Sequence, residues 1–189
     1  MKHYADAEWS ALLKAVVDSP ADDLPRLVAA DWLEEHGDAE RAEFIRLQCA
    51  AESDASPALA WKIRTLANSL TGRLWAVEAC PNLVTLAFAE GGPAFAALSV
   101  QRSERVQYRR GFPDSVVCPA VEWLAHGAGT VPRQPLTRVR LLLAFDVPIE
   151  RWWAMLPALR RLESVEIRGY RSELLEFLRK NLPGIEVLG

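Results

Sequence analysis

The amino-acid sequence predicts an α/β chain: an N-terminal helical module over residues 1–52, a helical or irregular connecting region over 53–100, and a short βα solenoid with parallel strands over 101–189. Three observations predict it. Apolar residues recur at helical spacing in successive N-terminal segments, punctuated by Asp, Pro and Gly. In the second half, a spacing of apolar-x-x-apolar-x-apolar returns at intervals of 24, 26 and 20 residues. Each return is separated from the next by a segment with bulky residues three or four apart, as expected if strand and short helix alternate.

In chain order, Asp6 can cap a first helix over residues 7–18, with Leu12, Leu13, Val16 and Val17 as its apolar stripe. "DSPADDLPR" interrupts it. Asp23 then serves as N-cap and Pro25 fits the first turn of a second helix, where a missing N–H costs nothing. Leu24, Leu27, Val28 and Trp32 or Leu33 supply its expected buried side. Gly37 suits a left-handed C-terminal cap, and Asp38 can cap a third helix over residues 39–51 that turns Phe44, Ile45, Leu47 and Ala51 to its neighbours. Asp31, inside the second helix, reads either as an ion pair with Arg46 or Arg26, or as a carboxylate presented beside Trp32 to a partner.

These residues carry a resemblance. "LLKAVVDSPADDLPRLVAADWLEEHGDAERAEFIRLQ" closely resembles the repeat-companion domain of planctomycete-type bacterial proteins, through Leu12, Leu13, Asp22, Asp23, Pro25, Arg26, Leu27, Ala30, Asp31, Trp32, Leu33, Gly37, Asp38, Arg41, Glu43, Phe44, Ile45, Arg46 and Gln48. The match covers about the first quarter of the chain. It implies that degenerate leucine-rich-type repeats follow; the family brings no activity to transfer, so the implication is architectural.

Beyond the polar hinge "ESDASP", Trp61 to Ala79 reads as one amphipathic helix. "NLVTLAF" is richer in strand formers, Ala89 to Leu98 has no assignable pattern, and a strand is expected near Arg105–Arg110, leading into Gly111 and Phe112. The repeat places Leu136, Val139 and Leu141 in one unit, Leu162, Val165 and Ile167 in the next, and Leu182, Ile185 and Val187 in the last. Phe112, Ser115 and Val117 form a weaker upstream copy. These spacings are leucine-rich-repeat-like. "RRGFPDSVVCPAVEWLAHG" and "PLTRVRLLLA" resemble the usual connection from module to repeats, although the standard asparagine is missing after "TRVRL" and "SVEIRGY". A short arc is the expectation.

Composition narrows the function classes. Residues 1–100 hold 8 basic and 15 acidic side chains, and residues 101–189 hold 14 and 10, so the net −3 divides into −7 and +4. No apolar run approaches the roughly 20 residues of a membrane span, and Asp6 and Glu8 break any signal-like stretch, so a cytoplasmic location is expected. Cys49, Cys80 and Cys118 are odd in number and widely spaced, and His3, His36 and His126 are scattered, so neither a metal site nor a disulfide framework is expected. Nucleotide-loop, metalloprotease and nucleophile-elbow motifs are absent. No catalytic, cofactor or metal residue is assigned.

Alternation assigns a partner-binding strip instead. If Val139, Leu141, Val165 and Ile167 point inward, Arg138, Arg140, Ser164, Glu166 and Arg168 point outward, continued by Glu186. Trp32 and one of the adjacent pair Trp152 and Trp153, taken as Trp153, are secondary anchors. The function expected is non-catalytic: a protein-binding adaptor or accessory subunit of a larger bacterial complex. The alternative is a nucleic-acid-contacting subunit of a bacterial ribonucleoprotein or defence complex, using Arg102, Arg105, Arg109 and Arg110 with Tyr108 nearby.

Overall fold

A computed structural model of the chain describes residues 6–54, 56–81, 83, 106–144 and 147–189. It divides into two compact units: Met1–Ala79 with Tyr108–Pro113 and Arg133–Pro135, and Cys80–Gln107 with Asp114–Pro132 and Leu136–Gly189. Most of "NLVTLAF" and all of residues 89–98 lie outside the described residues. Among those described, no helix is long and apolar enough to cross a membrane.

The first unit is built on α1 (Ala7–Asp18), α2 (Leu24–Glu35), α3 (Ala39–Ala51), α4 (Pro57–Asn68) and α5 (Leu70–Ala79). Asp6 caps α1 as its sequence suggests, accepting from the amides of Glu8 at 2.8 Å and Trp9 at 3.3 Å. Trp9, Leu13 and Val16 then enter a core shared with Ala29, Ala30, Leu33, Ala42, Ile45, Cys49 and Phe112. Past Gly37, the amide of Asp38 bonds Leu33 O at 2.8 Å and that of Gly37 bonds Glu34 O at 3.1 Å, the paired closure that ends a helix with a left-handed residue.

Three helical expectations are corrected. Leu24, Leu27 and Val28 are exposed, because α2 turns its small residues Ala29 and Ala30 and the buried Arg26 inward. Asp23 and Asp38 hold the N-cap positions of α2 and α3 as expected, but neither makes a side-chain cap bond; ahead of α2 it is Asp22 that accepts from Leu24 N, at 2.9 Å. The helix expected over 61–79 is two helices. Ser69 breaks it with an extended backbone, donating its hydroxyl to Leu66 O at 2.8 Å and accepting from Gly72 N at 2.9 Å. A β-carbon at Gly72 would lie 2.2 Å from Leu66 O, so the corner closes only around glycine.

The second unit carries most of a five-stranded sheet of order β1-β2-β3-β4-β5: β1 (Val106–Arg109), β2 (Phe112–Pro119), β3 (Arg138–Leu142), β4 (Ser164–Ile167) and β5 (Glu186–Leu188). Strands β2 to β5 pair in parallel, with α6 (Ala120–Thr130), α7 (Ile149–Leu159) and α8 (Ser172–Asn181) in the successive crossovers. Strand β1 departs from the all-parallel expectation. It meets β2 through the two-residue turn Arg110–Gly111, with φ of 51° and 85°, the geometry of an antiparallel hairpin, so the sheet is mixed.

The register supports the repeat where its pattern was strongest. Val139 pairs with Val165 and Leu141 with Ile167, all buried, at the expected 26-residue interval. On either side the register slips. Val116, not Ser115, pairs with Val139, and Cys118 with Leu141, so the inward set of β2 is one residue later. Val187, not Ile185, pairs with Val165. Because each crossover advances one strand in the same direction, right-handed connections place all three helices on one face. The other face of β3 and β4 is free of them.

Candidate protein-binding face

Alternation along β3 and β4 delivers the outward residues to the face opposite α6, α7 and α8. Arg138, Ser164 and Glu186 form one cross-strand row, and Val117, Arg140, Glu166 and Leu188 form the next. The strip expected from the sequence is therefore assembled, with Arg168 beyond the end of β4.

Its charges are satisfied internally. Glu166 receives Arg140 Nε on one carboxylate oxygen, and Arg168 on the other through Nε and Nη2, both at 2.7 Å. Burial pushes the Glu166 carboxyl up, but the hydrogen bonds and charges of Arg140 and Arg168 outweigh it and hold the group below the usual range. Arg138 pairs with Asp114, whose other oxygen accepts from Thr137 Oγ1 at 2.7 Å. Asp114 is buried and was missed in the sequence, where "FPDSVV" gives no alternation to mark it. Arg138, Arg140 and Arg168 keep 49%, 40% and 60% of their side-chain surface in solvent. Each guanidinium thus has donors beyond those its carboxylate occupies.

The tryptophan pair separates as its adjacency requires. Trp152 is fully buried and donates Nε1 to Val147 O at 3.3 Å; Trp153 is 58% exposed and meets Phe177 edge-on at 5.0 Å. Trp32 is half-buried in the first unit, stacked between Trp9 at 5.4 Å and His36 at 3.8 Å, and donates to Glu8 Oε2 at 3.1 Å. Asp31 forms the expected pair with Arg46, at 2.6 Å, and Arg46 takes Glu34 as well at 2.6 Å.

Half of the basic run is described. Arg102 and Arg105 lie outside the described residues. Arg109 and Arg110 both reach Glu52, each at 3.1 Å, and Arg110 also approaches Asp23 at 3.3 Å. These bonds hold the hairpin turn to the first unit's helices. Gln48 completes the hold, accepting from Gly111 N at 2.6 Å and donating to Tyr108 O at 3.5 Å. Gly111 approaches Ile45 so closely that a β-carbon would sit 2.4 Å from Ile45 Cγ1.

A cavity of about 330 Å³ opens at the ends of β3 and β4, lined by Pro148, Ile149, Trp152, Leu174, Glu150, Glu173 and Arg171 among others. Nothing in the sequence marked it. The cysteine thiols are buried, and burial pushes Cys49 up to about 11 and Cys80 to about 12, so neither presents a thiolate near neutral pH. Among the described residues, no cluster of three or more His, Cys, Asp or Glu is placed to hold a metal ion.

Comparison with known proteins returns no match: no family model fits the chain, and neither a curated protein nor a solved structure matches it.

Proposed function

We propose that the chain is a non-catalytic protein-binding adaptor or accessory subunit of a larger bacterial assembly, and that its second unit is a short leucine-rich-repeat-like arc. The single observation that carries this reading is the Arg140–Glu166–Arg168 set on the parallel sheet face opposite α6, α7 and α8. A carboxylate shared by two arginines fixes both guanidinium planes before any partner arrives, so little side-chain entropy is lost on binding. The remaining N–H donors fit carboxylates or backbone carbonyls of a protein. The resemblance of residues 12–48 to the repeat-companion domain supports the same architecture.

Two of the four arginines of the nucleic-acid alternative are committed to Glu52 and Asp23, which favours the protein reading. The test recovers the tagged full chain from its native cells and compares it with Arg140→Glu/Arg168→Glu. Loss of about tenfold or more of a specific co-purifying protein is expected, with helical content unchanged by circular dichroism. Equal recovery overturns the reading, as does recovery of nucleic acid alone.

A further inference from the structure

The outward face of α2 has a composition that the fold of its own unit leaves unused. Residues on the inward side, Arg26, Ala29, Ala30 and Leu33, are buried. Directly opposite, Leu24, Leu27 and Val28 are 65%, 37% and 44% exposed, at spacings of three and four that make one ridge. One turn further along the same ridge come the exposed Asp31, Glu34 and Glu35. The face is thus apolar over its first two turns and acidic over its last.

Both halves are costly as they stand. Exposed leucines at helical register contribute nothing to the unit's core. The carboxylates crowd the C-terminal end of α2, where the helix dipole is negative and no basic residue lies in the last turn. Arg46 pairs with Asp31 and Glu34, which among the described residues leaves one cation against three carboxylates.

We infer that this ridge docks an amphipathic helical segment of another protein, one whose apolar side chains are followed along the helix by lysines or arginines. Leu24, Leu27 and Val28 receive the apolar part; Asp31, Glu34 and Glu35 receive the basic part and relieve the dipole. A second copy of the same ridge sets acidic turns against each other when packed parallel, and each acidic turn against the other copy's apolar turns when packed antiparallel. An anionic membrane surface repels the same carboxylates. Charge therefore selects a basic partner helix, at a site separate from the sheet face.

The probe is a fluorescein-labelled amphipathic peptide of about 18 residues, leucine on one face and lysine on the other, titrated into the full chain and read by anisotropy. Its twin carries glutamate for lysine. The lysine peptide is expected to bind at least about tenfold more tightly than its twin. Leu24→Ser/Val28→Ser, confined to exposed positions, weakens it by about tenfold, and Glu35→Lys by several-fold. Equal binding by the twins, no binding by either, or affinity unchanged in the double variant overturns the proposal. So does a dimer in sedimentation equilibrium that the double variant dissolves, which assigns the ridge to self-association.

Discussion

Gly111 holds a position that no other residue fills without cost. Its φ of 85° lies in the left-handed region, and the space a β-carbon would occupy belongs to Ile45. Gly111→Ala adds backbone strain to overpacking and should destabilise the chain by about 3 kcal/mol, read as a lower urea midpoint. Gln48 explains itself at the same place, since one amide satisfies a buried turn at both Gly111 N and Tyr108 O. Glu52 and Glu166 should make the protein acid-sensitive. Hydrogen bonding from Arg109 holds Glu52 below its ordinary range, and arginine pairing outweighs burial at Glu166. A depressed carboxyl stabilises the fold fully above its unfolded value of about 4.3, and that contribution disappears as pH falls through the lower folded value. Urea midpoints measured from pH 7 down to 3 should therefore drop at the acidic end. Glu52→Gln, less stable at pH 7, should show a shallower drop.

At the scale of elements, what was legible depended on how much each side chain advertises its burial. The α1 cap, the Gly37 stop and the Val139/Val165 pairing rest on strong local signals, and the structure has them. The inward side of α2 was hidden because alanine carries a weak hydrophobic signal, yet close helix approach favours Ala29 and Ala30 over larger leucines. In β2 the run "SVVC" does not alternate, so face assignment slipped by one residue and exchanged the two faces. At the C-terminal end, Ile185, just before β5, and Val187 within it are both β-branched and two apart. Alternation fixes their shared face but not which of them meets Val165. The observed register gives a direct check: Val187→Ala should cost about 2 kcal/mol and Ile185→Ala clearly less, compared by chemical denaturation. The strip Arg138, Arg140, Glu166 and Arg168 was legible by alternation alone. Its internal pairing was not, because Asp114 lies 24 residues before Arg138 and only the parallel register brings them together.

At the scale of the whole molecule, the division of charge into −7 and +4 belongs to the two halves of the sequence; Arg109, Arg110 and Arg133 fall in the first unit, so the two units differ less in net charge than the halves do. The first unit concentrates carboxylates on the free face of α2, while the second distributes arginines over a sheet face and neutralises them partly with Glu166 and Asp114. Two surfaces of different chemistry fit the proposed adaptor role, and their variants should separate: the α2 substitutions act on peptide affinity, the sheet-face reversals on the co-purifying protein. Both the face and its charges exist only if the parallel strands keep their pairing. Inter-strand nuclear Overhauser contacts in solution test that most directly. The account predicts a continuous row linking Val116 to Val139, Val139 to Val165, and Val165 to Val187. Contacts joining Val165 to Ile185 in that row, or none between β3 and β4, would contradict it.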